Sequence, residues 1–190
     1  MELHATQIQG FFDIPADDIS AIPIIGKYFK DLNLKDVVVV SPDHGGTTRA
    51  RKLAEILHAP LAIIDKRRPK PNVAEAMNII GDVDGKVAIM VDDIVDTAGT
   101  LTAGIKMLYD KGATAVYASC VHGVLSGPAI ERLKAAKLAG FICTNTIENN
   151  EKAAQYPEMK VLSVGPVLGE VIKAMEENRA VSDIVARYAE

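Results

Sequence analysis

A parallel β-sheet covered by helices on both faces, an α/β fold, is the class this sequence predicts. Three observations carry that expectation. Short apolar runs such as DVVVVSPD (36–43) and KVAIMVDD (86–93) are near-continuous rather than alternating, as strands buried on both faces require. Between them, apolar residues recur at helical spacing, as with Ala50, Leu53, Ala54 and Leu57. Strand-like and helix-like stretches then alternate along the chain, the pattern of βα units.

Residues 1–30 have no clear period and read as an irregular leading segment, a loop plus a short strand. The strand at 36–43 is rich in β-branched residues and ends in Ser-Pro-Asp, and a helix follows over 47–58. PLAIIDK (60–66) is a second strand, and DKRRPKPNVAE (65–75), basic and holding two prolines, is the most loop-like stretch. The third strand spans 86–93, and the helix after it, 100–112, closes on Gly112 at a C-cap position. A fourth strand (115–124) leads into a helix over 127–140 with Pro just inside its start and Gly at its end. Strands at 140–147 and 159–165 and a helix at 166–179 complete the chain. With 190 residues and no internal repeat, residues 1–190 read as one domain.

Composition excludes several classes. Net charge is −4 and the pI about 5.6, against the basic patches of nucleic-acid binders, and aromatics are only 5% with no Trp for base stacking. No nucleic-acid partner is expected. No long apolar span or basic-apolar leader is present, so no membrane partner is expected either, and a cytoplasmic protein is the expectation. Cys120 and Cys143 sit in apolar runs and read as buried thiols rather than a disulfide.

The chemistry concentrates in AIMVDDIVDTAGT (88–100). A strand ending near Val91 brings Asp92 and Asp93 out at the carboxyl edge of the sheet, where ligands of such sheets bind. The following turn, Asp96 to Thr100, offers amides at a helix N-terminus, two Thr hydroxyls and a Gly for close approach, which together favour a phosphate. Carboxylates would repel that phosphate, so they face something else. Vicinal sugar hydroxyls, as donors, suit them, and so does a divalent cation. A phosphorylated sugar satisfies both halves. The simpler reading is a capped helix with Asp96 or Thr97 as N-cap and two solvated acids.

VDDIVDTAGT resembles the phosphoribosyl-diphosphate loop of type I phosphoribosyltransferase-like proteins. Together with LHATQIQGFFDIPAD, VVVVSPDHGGTTRARKLAE, IIDKRRPKPNVAE and VHGVLSGPAIERL, it resembles the ribose-phosphate diphosphokinases (PRPP synthetases) over nearly the whole chain. The resemblance implies a type I phosphoribosyltransferase-like fold and transfer of a diphosphoryl group from ATP to ribose 5-phosphate, giving PRPP and AMP. It implies Mg²⁺ as cofactor and a homo-oligomer, dimer or larger. Asp92, Asp93, Asp96, Thr97, Ala98, Gly99 and Thr100 would then bind ribose 5-phosphate. Asp43, His44, Gly45 and Gly46 would form the ATP and pyrophosphate turn; from the residues alone, the bared Gly-Gly amides with Arg49 and Arg51 near the helix start already suit a diphosphate or triphosphate. His4 would contact the magnesium–ATP phosphates, and His4 and Asp43 are the metal candidates. Lys66 and Arg68 match the catalytic pair of the family's basic loop, neutralising charge as phosphoryl oxygens separate. His122, at the end of the 115–124 strand, falls near the cleft with no catalytic role.

Two departures stand out. Glu2 replaces the family's Asp two residues before the His4 block. The family's amino-terminal domain is absent, so the chain corresponds to the ribose-5-phosphate and pyrophosphate half. Two other readings share the 92–100 loop. One is a phosphoribosyltransferase that consumes PRPP, which needs a nucleobase hood for which no segment stands out. The other is a non-catalytic relative, against which Lys66 and Arg68 stand at their matching positions.

Overall fold

The computed structural model describes residues 1–67 and 76–188. A seven-stranded sheet forms the centre. In chain order its elements are α1 (Ile22–Asp31), β1 (Val37–Ser41), α2 (Thr47–Leu57), β2 (Leu61–Arg67), β3 (Ala76–Ile80), β4 (Val87–Val95), α3 (Gly99–Asp110), β5 (Ala115–Gly123), α4 (Ala129–Ala135), β6 (Gly140–Thr144), α5 (Asn150–Gln155), β7 (Met159–Leu162), α6 (Gly165–Glu176) and α7 (Val181–Arg187). The strand order is β3-β2-β1-β4-β5-β6-β7. All neighbours pair in parallel except β2 and β3, an antiparallel pair with Ile63 opposite Ile80.

Strand alternation sorts the core into two layers. Val38, Val40, Ala88, Met90, Val116, Ala118 and Phe141 face one side, against Leu101, Ile105 and Leu108 of α3 and Leu133 of α4. Val39, Ile89, Val91, Val121 and Ile142 face the other, against Ile22, Ile25 and Phe29 of α1 and Leu53 of α2. A third, smaller cluster joins Val167, Val171 and Ala174 of α6 to Ile184 of α7 and to Ile19. Cys120 and Cys143 are buried and free. Among the described residues no helix is long and apolar enough to cross a membrane.

This topology creates the site. From β1 the chain moves outward to β2 and β3, then returns to the other side of β1 as β4. The helix after β1 covers one face and the helix after β4 the other. Their connecting turns therefore diverge at the carboxyl ends of adjacent strands, where a doubly wound sheet opens a crevice.

Several boundaries differ from the sequence expectation. The leading segment contains a helix: Ile22, Ile25 and Phe29 fall on one face of α1 and are at most 2% exposed. Each such burial stabilises by about 1.5–3 kcal/mol, enough to offset Gly26 in so short a helix, while Pro23 sits in the first turn where it costs no helical hydrogen bond. The edge strand β3 went unrecognised because five residues carry too little pattern. The 127–140 helix shrinks to α4, since Lys137 at φ +54° turns the chain toward β6. α5 and α7, of six and seven residues, are likewise too short to announce themselves.

Gly112 follows α3 at φ +92°, and a β-carbon there would run into the Asp84 carboxylate. Gly112→Ala should therefore destabilise the fold by about 1–3 kcal/mol. In a thermal melt this appears as a Tm lower by about 2–4 °C per kcal/mol; an unchanged Tm would mean the turn relaxes freely.

Candidate functional site

β4 pairs with β1 only as far as Met90, opposite Val40, but with β5 as far as Val95, opposite Gly123. The strand thus runs four residues past its expected end at Val91. Beyond Met90 its β1-facing margin is open, and Asp92 and Asp93 lie on that margin. Alternation sends them to opposite faces: Asp93 joins the Val91 side, under α2, and Asp92 the Met90 side, toward α3.

Asp93 is only 6% exposed, and its oxygens are engaged. Its Oδ2 lies 2.6 Å from His4 Nδ1 and 3.2 Å from Arg49 Nη2, and its Oδ1 accepts the Ile94 amide at 2.9 Å. Asp92 Oδ1 accepts the Asp93 amide at 2.9 Å and Arg49 Nη1 at 3.4 Å. Arg49 Nε also meets Glu2 Oε1 at 3.3 Å. One half-buried guanidinium therefore faces three carboxylates. Burial, reinforced by the Asp93 carboxylate beside it, pushes Asp92 up to about 7. Burial works against ionisation of Asp93 too, but hydrogen bonds from Asp92 and His4 and the charge of Arg49 prevail and hold it down at about 2. The pair thus divides into a fixed anion and a carboxyl poised near neutrality.

After β4 the chain turns through Asp96 and Thr97 into α3. The N-cap is Ala98, in the left-handed region at φ +59°, and no side chain caps the helix. Asp96 and Thr97, the cap candidates, do not fill that role: the Asp96 carboxylate accepts from Ser126 Oγ instead. The first-turn amides of α3 thus have no capping side chain. They open onto a cleft of about 280 Å³ lined by Pro42, Asp43, Asp92 and residues 94–101. This single space brings Asp92, Asp96, Thr97, Ala98, Gly99 and Thr100 together with Asp43.

In the turn after β1, Asp43 Oδ1 accepts the Gly46 amide at 2.9 Å, and the Ser41 hydroxyl donates to the Asp43 carbonyl at 2.7 Å. Beyond Gly45, Gly46 leads into α2. His44 Nε2 lies 3.0 Å from the Oδ1 of Asp65, a buried carboxylate on β2. The site therefore has two imidazole–carboxylate pairs, each with an exposed ring on a buried acid. Arg49, at the helix start where a diphosphate is expected, pairs with three of the protein's own acids, while Arg51 is exposed. His122 bridges the Thr146 hydroxyl, 2.9 Å from its Nδ1, and the Glu2 carbonyl, 2.9 Å from its Nε2, so it fastens the leading segment rather than lining the cleft. Glu2 is also structural: its Oε2 accepts from Ser20 Oγ and the Ala21 amide.

The backbone of Lys66 pairs with Met77 in the sheet, but its side chain, like the whole of Arg68, lies outside the described residues. Among the described residues no group of three or more His, Cys, Asp or Glu could hold a metal ion. Sequence reasoning missed the partners Glu2, Asp65, Ser126 and Arg132. A signal existed for Asp65: an acid at the end of an apolar strand needs a cation or donor nearby.

Residues 66–186, well over half of the chain, match the family model described as the phosphoribosyl synthetase-associated domain. The ribose-phosphate pyrophosphokinase of Bacillus subtilis is 56% identical over 182 residues, 96% of this chain and 57% of that protein. The protein of the same name from Corynebacterium ammoniagenes is 53% identical over 96% of this chain and 57% of its own length. Among solved structures, phosphoribosylpyrophosphate synthetase from Mycobacterium smegmatis superposes with a TM-score of 0.83 at 40% identity, covering 93% of this chain and 57% of that one. APRTase from Giardia lamblia, at 18% identity and TM-score 0.50 over 65% of this chain and 76% of that one, shares the fold alone. The fold is therefore the expected type I phosphoribosyltransferase-like α/β fold. The chain spans little more than half the length of the curated relatives it matches. Fold, site blocks and family model converge on one assignment: this chain belongs to the phosphoribosyl synthetase family.

Proposed function

We propose that this chain is the ribose-5-phosphate- and pyrophosphate-binding part of a ribose-phosphate diphosphokinase, which moves a diphosphoryl group from ATP to ribose 5-phosphate and yields PRPP and AMP. The observation that carries the proposal is one cleft shared by an uncapped helix N-terminus and a carboxyl poised near neutrality. A phosphate monoester and a sugar diol are the two ends of one molecule that suits such a cleft.

The phosphate sits over the first-turn amides of α3, with Thr97 and Thr100 offering hydroxyls. Asp92 accepts hydrogen bonds from ribose hydroxyls, while Asp93, engaged by His4 and Arg49, supplies the fixed negative charge behind it. That orientation leaves the anomeric hydroxyl in line with the β-phosphorus of ATP, so positioning does most of the work. The turn at Asp43, His44, Gly45 and Gly46 lies on the diphosphate side. Lys66 and Arg68, by their likeness to the family's basic loop, neutralise charge on the separating oxygens.

The donor set suits Mg²⁺: Asp43 and Asp92 put carboxylates on one cleft, and Mg²⁺ takes one or two carboxylates plus waters and substrate phosphates. When bound, the ion offsets charge on the phosphoryl oxygens. His4, with Nδ1 on Asp93, keeps Nε2 for a phosphate or the metal. A homo-oligomer, dimer or larger, is supported by the leading segment, where Phe11 and Ile14 are 86% and 71% exposed. Two buried free thiols accord with a cytoplasmic location.

Calorimetric titration with ribose 5-phosphate tests this reading, alongside a coupled assay for AMP from ATP, ribose 5-phosphate and Mg²⁺. The wild-type chain should bind, and Asp92→Ala combined with Asp93→Ala should weaken binding about 100-fold or more through lost charge-assisted hydrogen bonds. AMP formed together with PRPP establishes transfer, binding without AMP limits this chain to the binding role, and no binding refutes the proposal. In the same assay, Lys66→Ala should lower turnover about 10²–10³-fold while leaving ribose 5-phosphate affinity within about twofold. A large loss of affinity instead would make Lys66 a substrate-binding residue.

A further inference from the structure

The turn that presents the α3 amides is itself held from behind. Ala98 adopts φ +59°, a region costly to a residue with a side chain and kept only where the surroundings impose it. No cap on α3 imposes it. Three contacts bear on the turn instead, all from the connection between β5 and α4 or from α4 itself. The Leu125 amide donates to the Val95 carbonyl at 3.1 Å, where the strand ends. The Ser126 hydroxyl donates to the Asp96 carboxylate. Arg132 Nη1 donates to the Thr97 carbonyl at 2.9 Å.

Gly99 belongs to the same arrangement. A β-carbon at position 99 would come within 3.2 Å of Arg132 Nη1, so the missing side chain is the space in which the guanidinium reaches the turn. Arg132 is not among the residues lining the cleft. It touches the turn without lining the cleft, and its charge lies close enough to favour an anion over the α3 amides. Ser126 complements it. Asp96 is the acid closest in sequence to the phosphate amides, and the hydroxyl holds its carboxylate onto the 124–128 segment.

We infer that Arg132 is a positioning residue for phosphate binding: docked on the Thr97 carbonyl in the space left by Gly99, it holds the 96–99 turn in the shape that aims the α3 amides into the cleft. The inference rests on the proposed function for the ligand but not for the geometry. Because Arg132 is an exposed residue, its substitution does not threaten folding.

Arg132→Met keeps the aliphatic stem and removes the donors. Titrated with ribose 5-phosphate, it should bind about tenfold more weakly than the wild type, the scale of one charge-assisted hydrogen bond. Its Tm should stay within about 2 °C. Gly99→Ala should give a comparable loss by displacing the guanidinium. The doubly substituted chain should be no weaker than Gly99→Ala alone, since both changes remove one contact. In the unliganded protein, the amides of residues 98–100 should exchange with solvent about fivefold faster in Arg132→Met. Wild-type affinity in Arg132→Met, losses that multiply in the double variant, or unchanged exchange would each overturn the inference. Should the wild type bind no ribose 5-phosphate, the proposed function falls, and the exchange comparison alone decides this inference.

Discussion

Arg49 meets three carboxylates that the fold would otherwise leave in mutual repulsion: Glu2 from the leading segment, and Asp92 and Asp93 from the open end of β4. Two unit charges about 4 Å apart near a protein surface interact with about 4 kcal/mol, so the acids cannot all be ionised and buried without such a partner. Taking the cation away from buried anions typically costs about 3–5 kcal/mol. The guanidinium reaches them because α2 starts beside the turn after β1, next to β4 at the switch point of the sheet. Charge balance at this point makes the rest of the cleft possible. Asp93 is pinned as an anion and Asp92 is left near neutrality, which in the proposed role lets Asp92 accept sugar hydroxyls without a standing electrostatic penalty.

The leading segment completes that balance. The Glu2 amide donates to the Ile19 carbonyl at 2.9 Å and the Leu3 amide to Asp18 at 3.0 Å. His122 fastens the Glu2 carbonyl from the end of β5. Residues 1–21 thus close on themselves and deliver His4 to Asp93. Glu2 bridges Arg49 on one side and the start of α1 on the other.

The central strands and the helix start at Thr-Ala-Gly-Thr were legible because their physics is local. A β-branched apolar run such as 36–43 has one comfortable state, and Thr-Ala-Gly-Thr after a strand has few roles other than opening a helix toward an anion. The partners were not legible because they are long-range. Nothing in the order of residues brings Arg49 to Glu2, separated from it by 47 positions, or Ser126 to Asp96, 30 positions away. The local argument that cations near a helix start attract anions points Arg49 toward a diphosphate, whereas in the fold its guanidinium also meets the protein's own Glu2, Asp92 and Asp93. Similarly, the apolar run of β4 ends at Val91, whereas pairing with β5 carries the strand on to Val95. α1 is the exception: its 22, 25, 26, 29 spacing is plainly helical, but it is short and follows an aperiodic stretch.

Site-resolved titration of the Asp92 and Asp93 side-chain carboxyls by carbon-13 NMR, on the unliganded protein, reaches the charge balance around Arg49 most directly. Asp93 should remain ionised down to about pH 2, with Asp92 taking up its proton near pH 7. Both carboxyls titrating together near the ordinary aspartate value of about 3.9 would contradict the account, because the two acids would then be solvated neighbours rather than a buried pair held by one guanidinium.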